Sequence, residues 1–371
     1  MRVMWLGKQV PFCGNVTYSK QITQMLEARG YQIHFLAQES LACFYQSQIY
    51  TWPSLEAAKQ FQKQLAEFQP HVLHVSLTLS PLDFLLPEIS PVPLVATFHP
   101  PFTWLPNLMQ QQVATYVMYA PFLSRYHAII VFSPKHRQLL LQLGIPDKKI
   151  VCIPNGIDHY KYRPSYGKGK QEQNDCVFIY QGRISVEKNL PALLKAWKQQ
   201  KMGWRAQLWL IGYGAQIRGL MHHYTAADGI RWLGVVKNEN RRIHMIHHGD
   251  VFMLPSWVEG LSLALLEAFS CGLVCIATDA GADAEVLEPN LGVVLNPKQV
   301  NCQLEGVLPL LVEQAELRKL LSHKSREKLL RKYALMTNVL YLDFVYRSVK
   351  GDPKGDPQGD SHVELDSRPN I

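Results

Sequence analysis

Long apolar runs are missing from this chain. No stretch of about 18 residues is free of charges and breakers, which excludes a recognisable membrane-spanning helix. The opening "MRVMWLGKQVPFCGN" has an apolar part too short for a signal peptide, and "RVMWLG" reads as a buried first strand. Paired cysteines are missing too. The seven present are odd in number, scattered and without a C-x-x-C pair, which argues against a disulfide framework or a zinc ribbon. Reduced, mostly buried thiols in the cytoplasm are expected. Acidic residues are the minority sign, 30 against 38 basic, for a net charge of +8. The excess lies in residues 161–350, with 25 basic and 17 acidic side chains. A basic second half suits an anionic ligand, an anionic membrane surface or nucleic acid, and charge alone does not choose.

What is present is a double series of short strands. With 371 residues, about two domains are expected. In the first half "RVMWLG", "YQIHFLA", "HVLHVSL", "PLVATFH", "AIIVFS" and "KIVCIP" read as strands. Helix patterns "TYSKQITQMLEARG" and "SLEAAKQFQKQLAEF" lie between them, the first closed by Gly30. After the polar, aperiodic "RPSYGKGKQEQND" the alternation restarts with "CVFIYQG", "AQLWLIG", "IRWLG", "DVFMLP" and "LVCIAT". Such alternation predicts α/β architecture with parallel, doubly wound sheets. The division expected is 1–162 (first domain), 163–175 (linker), 176–335 (second domain), 336–350 (a closing helix) and 351–371 (a tail with little to bury).

Open parallel sheets bind ligands beyond the carboxyl ends of their strands, and the candidate residues fall there. In "YQGRISVEKN", Arg183 and Lys188 follow a strand end and form either a diphosphate clamp or a solvated charged loop. Gly14 in "PFCGN" and Gly212 in "LIGYG" follow strands and permit close backbone approach, as a plain turn also would. His99 ends "ATFH", where it can meet a hydroxyl or serve the core. His244, His247 and His248 share a helix without a carboxylate companion, and no metal is expected. The stretch "LRKLLSHKSREKLLRKY" is a solvated helix face or a membrane-facing one.

The stretch "SWVEGLSLALLEAFSCG" puts two acids in an apolar run. Were it all helix, Glu259 and Glu267 would lie about 12 Å apart along the axis, too far for carboxylates flanking one bond. A long ligand over the helix start fits better. Its diphosphate would meet the N–H groups of residues 260–263, with one acid at each end taking paired hydroxyls.

The ordered set Gly14 loop, "TFH", "IPNGID", "GRISVEKN", "GYG", "WLGVV" and "PSWVEGLSLALLEAFSCG", from Met1 to about Lys350, resembles the retaining family 4 glycosyltransferases of the GT-B fold. It is loosely similar to the bacterial digalactosyldiacylglycerol synthases among them. The resemblance implies two Rossmann-like domains facing across a ligand cleft, with the closing helix crossing back to the first. It implies a nucleotide-sugar donor with Arg183 and Lys188 on the diphosphate. Glu267 would take the ribose and Glu259 the transferred sugar, with Gly260, Leu261 and Ser262 along the donor. Gly14 would cover the donor phosphate, His99 would lie beside the sugar, and Gly212 and Val236 would line the donor pocket. Retention would proceed by front-face transfer without a protein nucleophile. No cofactor or catalytic metal is implied, and no Asp-x-Asp element is present.

Departures are Cys13-Gly14 for a Gly-Gly pair, Leu261-Ser262 for Phe-Gly, and Gly281-Ala282 for a second Gly-Gly. The Cβ of Ser262 would restrict backbone approach to phosphate. Tyr116, Tyr119, Phe122 and Tyr126 form either an apolar acceptor-side surface or core. The expected partner is a nucleotide sugar with a lipid acceptor at a membrane surface, not nucleic acid. The protein would be cytoplasmic, peripheral on the inner face. A polysaccharide or soluble glycoside acceptor, or a non-catalytic nucleotide-sugar binder, are the alternatives. Oligomeric state is not legible.

Overall fold

The computed structural model describes residues 1–9, 14–38, 55–78, 81–100, 116–165, 176–287 and 290–351. Cys13, most of the linker and the tail lie outside them. Described residues up to 100, from 116 to 155 and from 335 onward form one compact unit, and those from 156 to 334 a second.

The first unit is a six-stranded parallel sheet in the order β2-β1-β3-β4-β5-β6. Its elements are β1 (Arg2–Gly7), α1 (Gly14–Ala28), β2 (Gln32–Ala37), α2 (Leu55–Phe68), β3 (Val72–Leu77), α3 (Pro81–Ile89), β4 (Leu94–Phe98), β5 (Ala128–Val131), α4 (Pro134–Gln142) and β6 (Ile150–Cys152). Strands β3, β4 and β5 are buried along their whole length, as expected of parallel strands covered on both faces.

The second unit has the order β12-β11-β10-β7-β8-β9, again all parallel. It contains β7 (Cys176–Gln181), α5 (Leu190–Gln199), β8 (Ala206–Ile211), α6 (Ile217–His223), β9 (Ile230–Gly234), α7 (Glu239–His247), β10 (Val251–Leu254) and α8 (Leu263–Ser270). β11 (Val274–Thr278), α9 (Asp283–Leu287), β12 (Val293–Leu295), α10 (Val300–Glu313) and α11 (Ala315–Lys332) complete it. Counted from β7 the order is that of a dinucleotide-binding sheet, and the chain reverses its winding direction between β7 and β10. The ends of these two neighbours therefore bound the crevice where such sheets hold ligands.

The closing helix α12 (Leu335–Lys350) belongs to the first unit. There Tyr346 Oη lies 2.7 Å from His74 Nδ1, Asn338 donates to the Pro154 carbonyl at 2.8 Å, and Tyr31 donates to Asp343. Residues 156–162, grouped by sequence with the first domain, pack in the second unit. The backbone of Tyr162 accepts from Ser270 and Arg326 of that unit.

Two readings that the sequence left open gain detail. Of the aromatic segment, Tyr116, Tyr119 and Tyr126 are buried and Phe122 is half-buried against Phe84, so these rings serve the core, whereas Val117 and Met118 of the same helix are exposed and residues 101–115 lie outside the described ones. Much of the charge on α11 is consumed locally. Arg318 donates to the carbonyls of Leu311 and Val312, Arg326 to those of His159, Tyr162 and Ser270, and Lys328 to that of Glu285.

Candidate active site

Four charged residues of the second unit gather at the switch between β7 and β10. After β7 the chain continues alongside the end of β8. Gly182 donates to the Ile211 carbonyl and Ile184 to that of Tyr213, both at 3.0 Å. This close pairing explains Gly212. Its φ is +147°, and a Cβ there would lie 1.8 Å from the carbonyl oxygen of Gly182. The structural requirement is met without a ligand, and it fixes the backbone that carries Arg183. The Arg183 side chain is 64% exposed, with a 4.0 Å contact to Glu187.

Lys188 closes a short turn and donates from Nζ to Glu259 Oε1 at 2.5 Å. Ser256 Oγ donates to the same oxygen at 2.7 Å. Glu259 is 8% exposed, and its Oε2 has no hydrogen-bond partner among the described residues. It lies in the turn after β10, ahead of α8.

Helix α8 begins at Leu263 with Ser262 as its N-cap. Ser262 has φ −73° and accepts the Leu265 N–H on Oγ at 3.3 Å. A side chain is therefore unstrained here and performs the usual capping role. The expectation that amides 260–263 all face a diphosphate is corrected, since the Ser262 N–H donates to Asp283 Oδ1 at 2.8 Å. Leu261 is buried and Gly260 half-buried, its carbonyl taken by Ala282 N–H at 2.7 Å. The helix ends at Ser270, and Gly272 just beyond it takes the left-handed φ of +82° of a helix stop.

Glu267 points from α8 into a polar cluster and is 3% exposed. Oε2 accepts from Gln181 Nε2 at 2.6 Å, and Oε1 from Arg242 at 3.2 Å. The Tyr162 hydroxyl lies 3.0 Å from Glu267 Oε1 and 2.9 Å from Glu239 Oε1, with one proton to give. A carboxylate has about four acceptor positions, so little capacity remains. Two ribose hydroxyls bind here only if a protein donor yields its place. Tyr162, Gln181, Arg242 and Asp283 were not identified from sequence. Only Gln181, at the strand end beside Gly182, carried a signal.

The other candidates are placed as follows. Val236 follows β9 and is half-buried. His247 bonds the Arg163 carbonyl and His248 that of His244, so both have structural partners. In the first unit, Gly14 opens α1 with open space where a Cβ would stand. His99 follows β4, packed edge-on against Tyr18 and Phe132. Its Nε2 is buried without a hydrogen-bond partner among the described residues, and burial, with Lys8 adding repulsion, pushes its pKa down to about 3. It is a neutral imidazole near pH 7, not a standing cation.

Comparison with known proteins extends beyond the site. Residues 165–328 match the family "Glycosyl transferases group 1", and residues 14–161 match "Glycosyltransferase Family 4". The UDP-Gal:alpha-D-GlcNAc-diphosphoundecaprenol alpha-1,3-galactosyltransferase of Escherichia coli is 25% identical over 221 residues, 55% of this chain and 57% of that one. The alpha-galactosylglucosyldiacylglycerol synthase of Streptococcus pneumoniae is 24% identical over 204 residues, 50% of this chain and 52% of that one. The chain thus spans about half the length of the curated relatives it matches. The structure of Anabaena Alr3699/HepE in complex with UDP-glucose superposes with a TM-score of 0.75 at 16% identity, over 94% of this chain and all of that one. The chain belongs to the glycosyltransferases of the GT-B fold, with a family 4 first half and a group 1 second half.

Proposed function

We propose that the protein is a retaining hexosyltransferase that takes a sugar from a nucleotide-sugar donor and delivers it to a hydroxyl of a membrane glycolipid. The observation that carries this reading is the Lys188–Glu259 pair at the switch between β7 and β10, with Arg183 on the segment after β7 and Glu267 on α8 held by Gln181 from the end of β7. An exposed guanidinium and an ammonium with donors to spare suit a diphosphate. Glu259 Oε2 is available to a sugar hydroxyl, and Glu267 exchanges a protein donor for ribose. The base runs toward Val236.

No protein nucleophile is required in this scheme. The leaving phosphate oxygen takes the acceptor's proton as the new bond forms on the same face. The protein contributes positioning and stabilisation of the charge developing on the diphosphate. Neutral His99 has no imidazolium proton to deliver near pH 7. Support for the donor comes from the Anabaena structure with UDP-glucose. Support for a lipid-borne acceptor comes from the names of the Escherichia coli and Streptococcus pneumoniae relatives.

A screen of nucleotide sugars, read by nucleotide release with and without lipid extract, tests both parts. One donor is expected to turn over faster with lipid. Equal turnover with a soluble glycoside would replace the lipid acceptor. No turnover of any donor by the folded chain would overturn the enzymatic reading.

A further inference from the structure

Beyond β11 the chain folds back onto the turn that carries Glu259. Gly281 has φ +78°, and a Cβ there would lie 2.1 Å from the Glu259 carbonyl oxygen. Ala282 N–H donates to the Gly260 carbonyl at 2.7 Å, and Asp283 Oδ1 accepts the Ser262 N–H at 2.8 Å. Three consecutive residues thus grip the backbone of the acid-bearing turn. Asp283 is 1% exposed, and its Oδ2 has no hydrogen-bond partner among the described residues.

We propose that Asp283 is a positioning residue of the donor site, an uncharged acid that clamps the Glu259–Ser262 turn through the Ser262 amide. The geometry argues for the missing charge. Lys188 lies near Asp283, yet its hydrogen bond goes to Glu259 and none reaches Asp283 Oδ2 among the described residues. A bare carboxylate oxygen buried with no donor is far costlier than a carboxylic acid in the same place. Burial, with Glu259 beside it, also raises its pKa well above the ordinary range. The titratable groups facing it are Glu259 from the turn, Lys188 from the turn after β7, and Cys275 from β11. The clamp reserves the Ser262 amide for the protein and leaves the diphosphate to Arg183 and Lys188. The ligand part of this inference rests on the donor reading above, whereas the charge of Asp283 does not.

Two measurements on the full chain test it. The first compares thermal midpoints of wild type and Asp283→Asn from pH 5 to pH 8. An unfolded aspartate ionises near pH 3.9. Between that value and the raised folded-state pKa, the folded wild type holds a proton that the unfolded chain lacks. Wild type therefore loses stability as pH rises, and the amide does not. The gap should shift in favour of Asp283→Asn by about tenfold in the unfolding equilibrium per pH unit. A gap independent of pH overturns the uncharged acid. The second measures binding of UDP by calorimetry. Asp283→Ala should weaken it about tenfold and Asp283→Asn should restore most of the loss. Undiminished binding by the Ala variant overturns the clamp. A wild type that binds no nucleotide overturns the donor reading instead, and the stability comparison still decides the charge of Asp283.

Discussion

Glu259 and Glu267 look equivalent in the sequence but differ in how they are held. Glu259 shares one oxygen with Lys188 and Ser256 and keeps the other open. Glu267 is held by Gln181 and Arg242, with Tyr162 in reach. Glu267→Ala should therefore weaken nucleotide binding and also take the nearer carboxylate from the buried Arg242, which keeps Glu239 at 4.0 Å and the Tyr162 hydroxyl, so the cost in stability should stay below the roughly 3–5 kcal/mol of a fully unpaired buried charge. Glu259→Ala should depress transfer more than nucleotide affinity. Calorimetric binding beside steady-state kcat/KM separates the two, and equal, negligible effects would refute both assignments. Ser262 illustrates the limit of comparing residue types. A Cβ that looked like an obstacle is a helix cap at φ −73°.

At the level of elements, the candidate site depends on how closely two strand ends pass. The loops after β7 and β8 touch at Gly182 and Gly212, and Gly214 would bring a Cβ 2.1 Å from the Ile184 carbonyl oxygen. Gly212→Ala should displace the Arg183 segment and cost at least about 1–3 kcal/mol from backbone strain alone. Gly306→Ala, in α10 with open space around it, should gain about 0.5–1 kcal/mol instead. Chemical denaturation of both variants checks the contrast. Helix α11 follows the same logic in reverse. Its charge read as a solvated or a membrane-facing side, yet Arg318, Arg326 and Lys328 cap carbonyls of neighbouring segments.

For the whole molecule, the charged cluster lies within one of two separately built units. Saturation with UDP at a hundredfold its Kd should add about 2.7 kcal/mol to the unfolding free energy of the second unit. Scanning calorimetry should show that transition rising. A nucleotide that raised only the transition of the first unit would place the donor site elsewhere. The sequence by itself determined the α/β class, eleven of the twelve strands among the described residues and the helix start between the two acids. Buried parallel strands appear as apolar runs, and caps and glycine stops are local signals. The three-residue strand β12 was too short to show a period. Only the tertiary structure decided that β7 lies beside β10, and hence that Lys188 meets Glu259 and Arg242 meets Glu267. It also brought Tyr162 to Glu267 across 105 residues and Asp283 back to Ser262. Strand order and side-chain partners follow from which surfaces pack best over long separations, and local sequence carries no record of that choice.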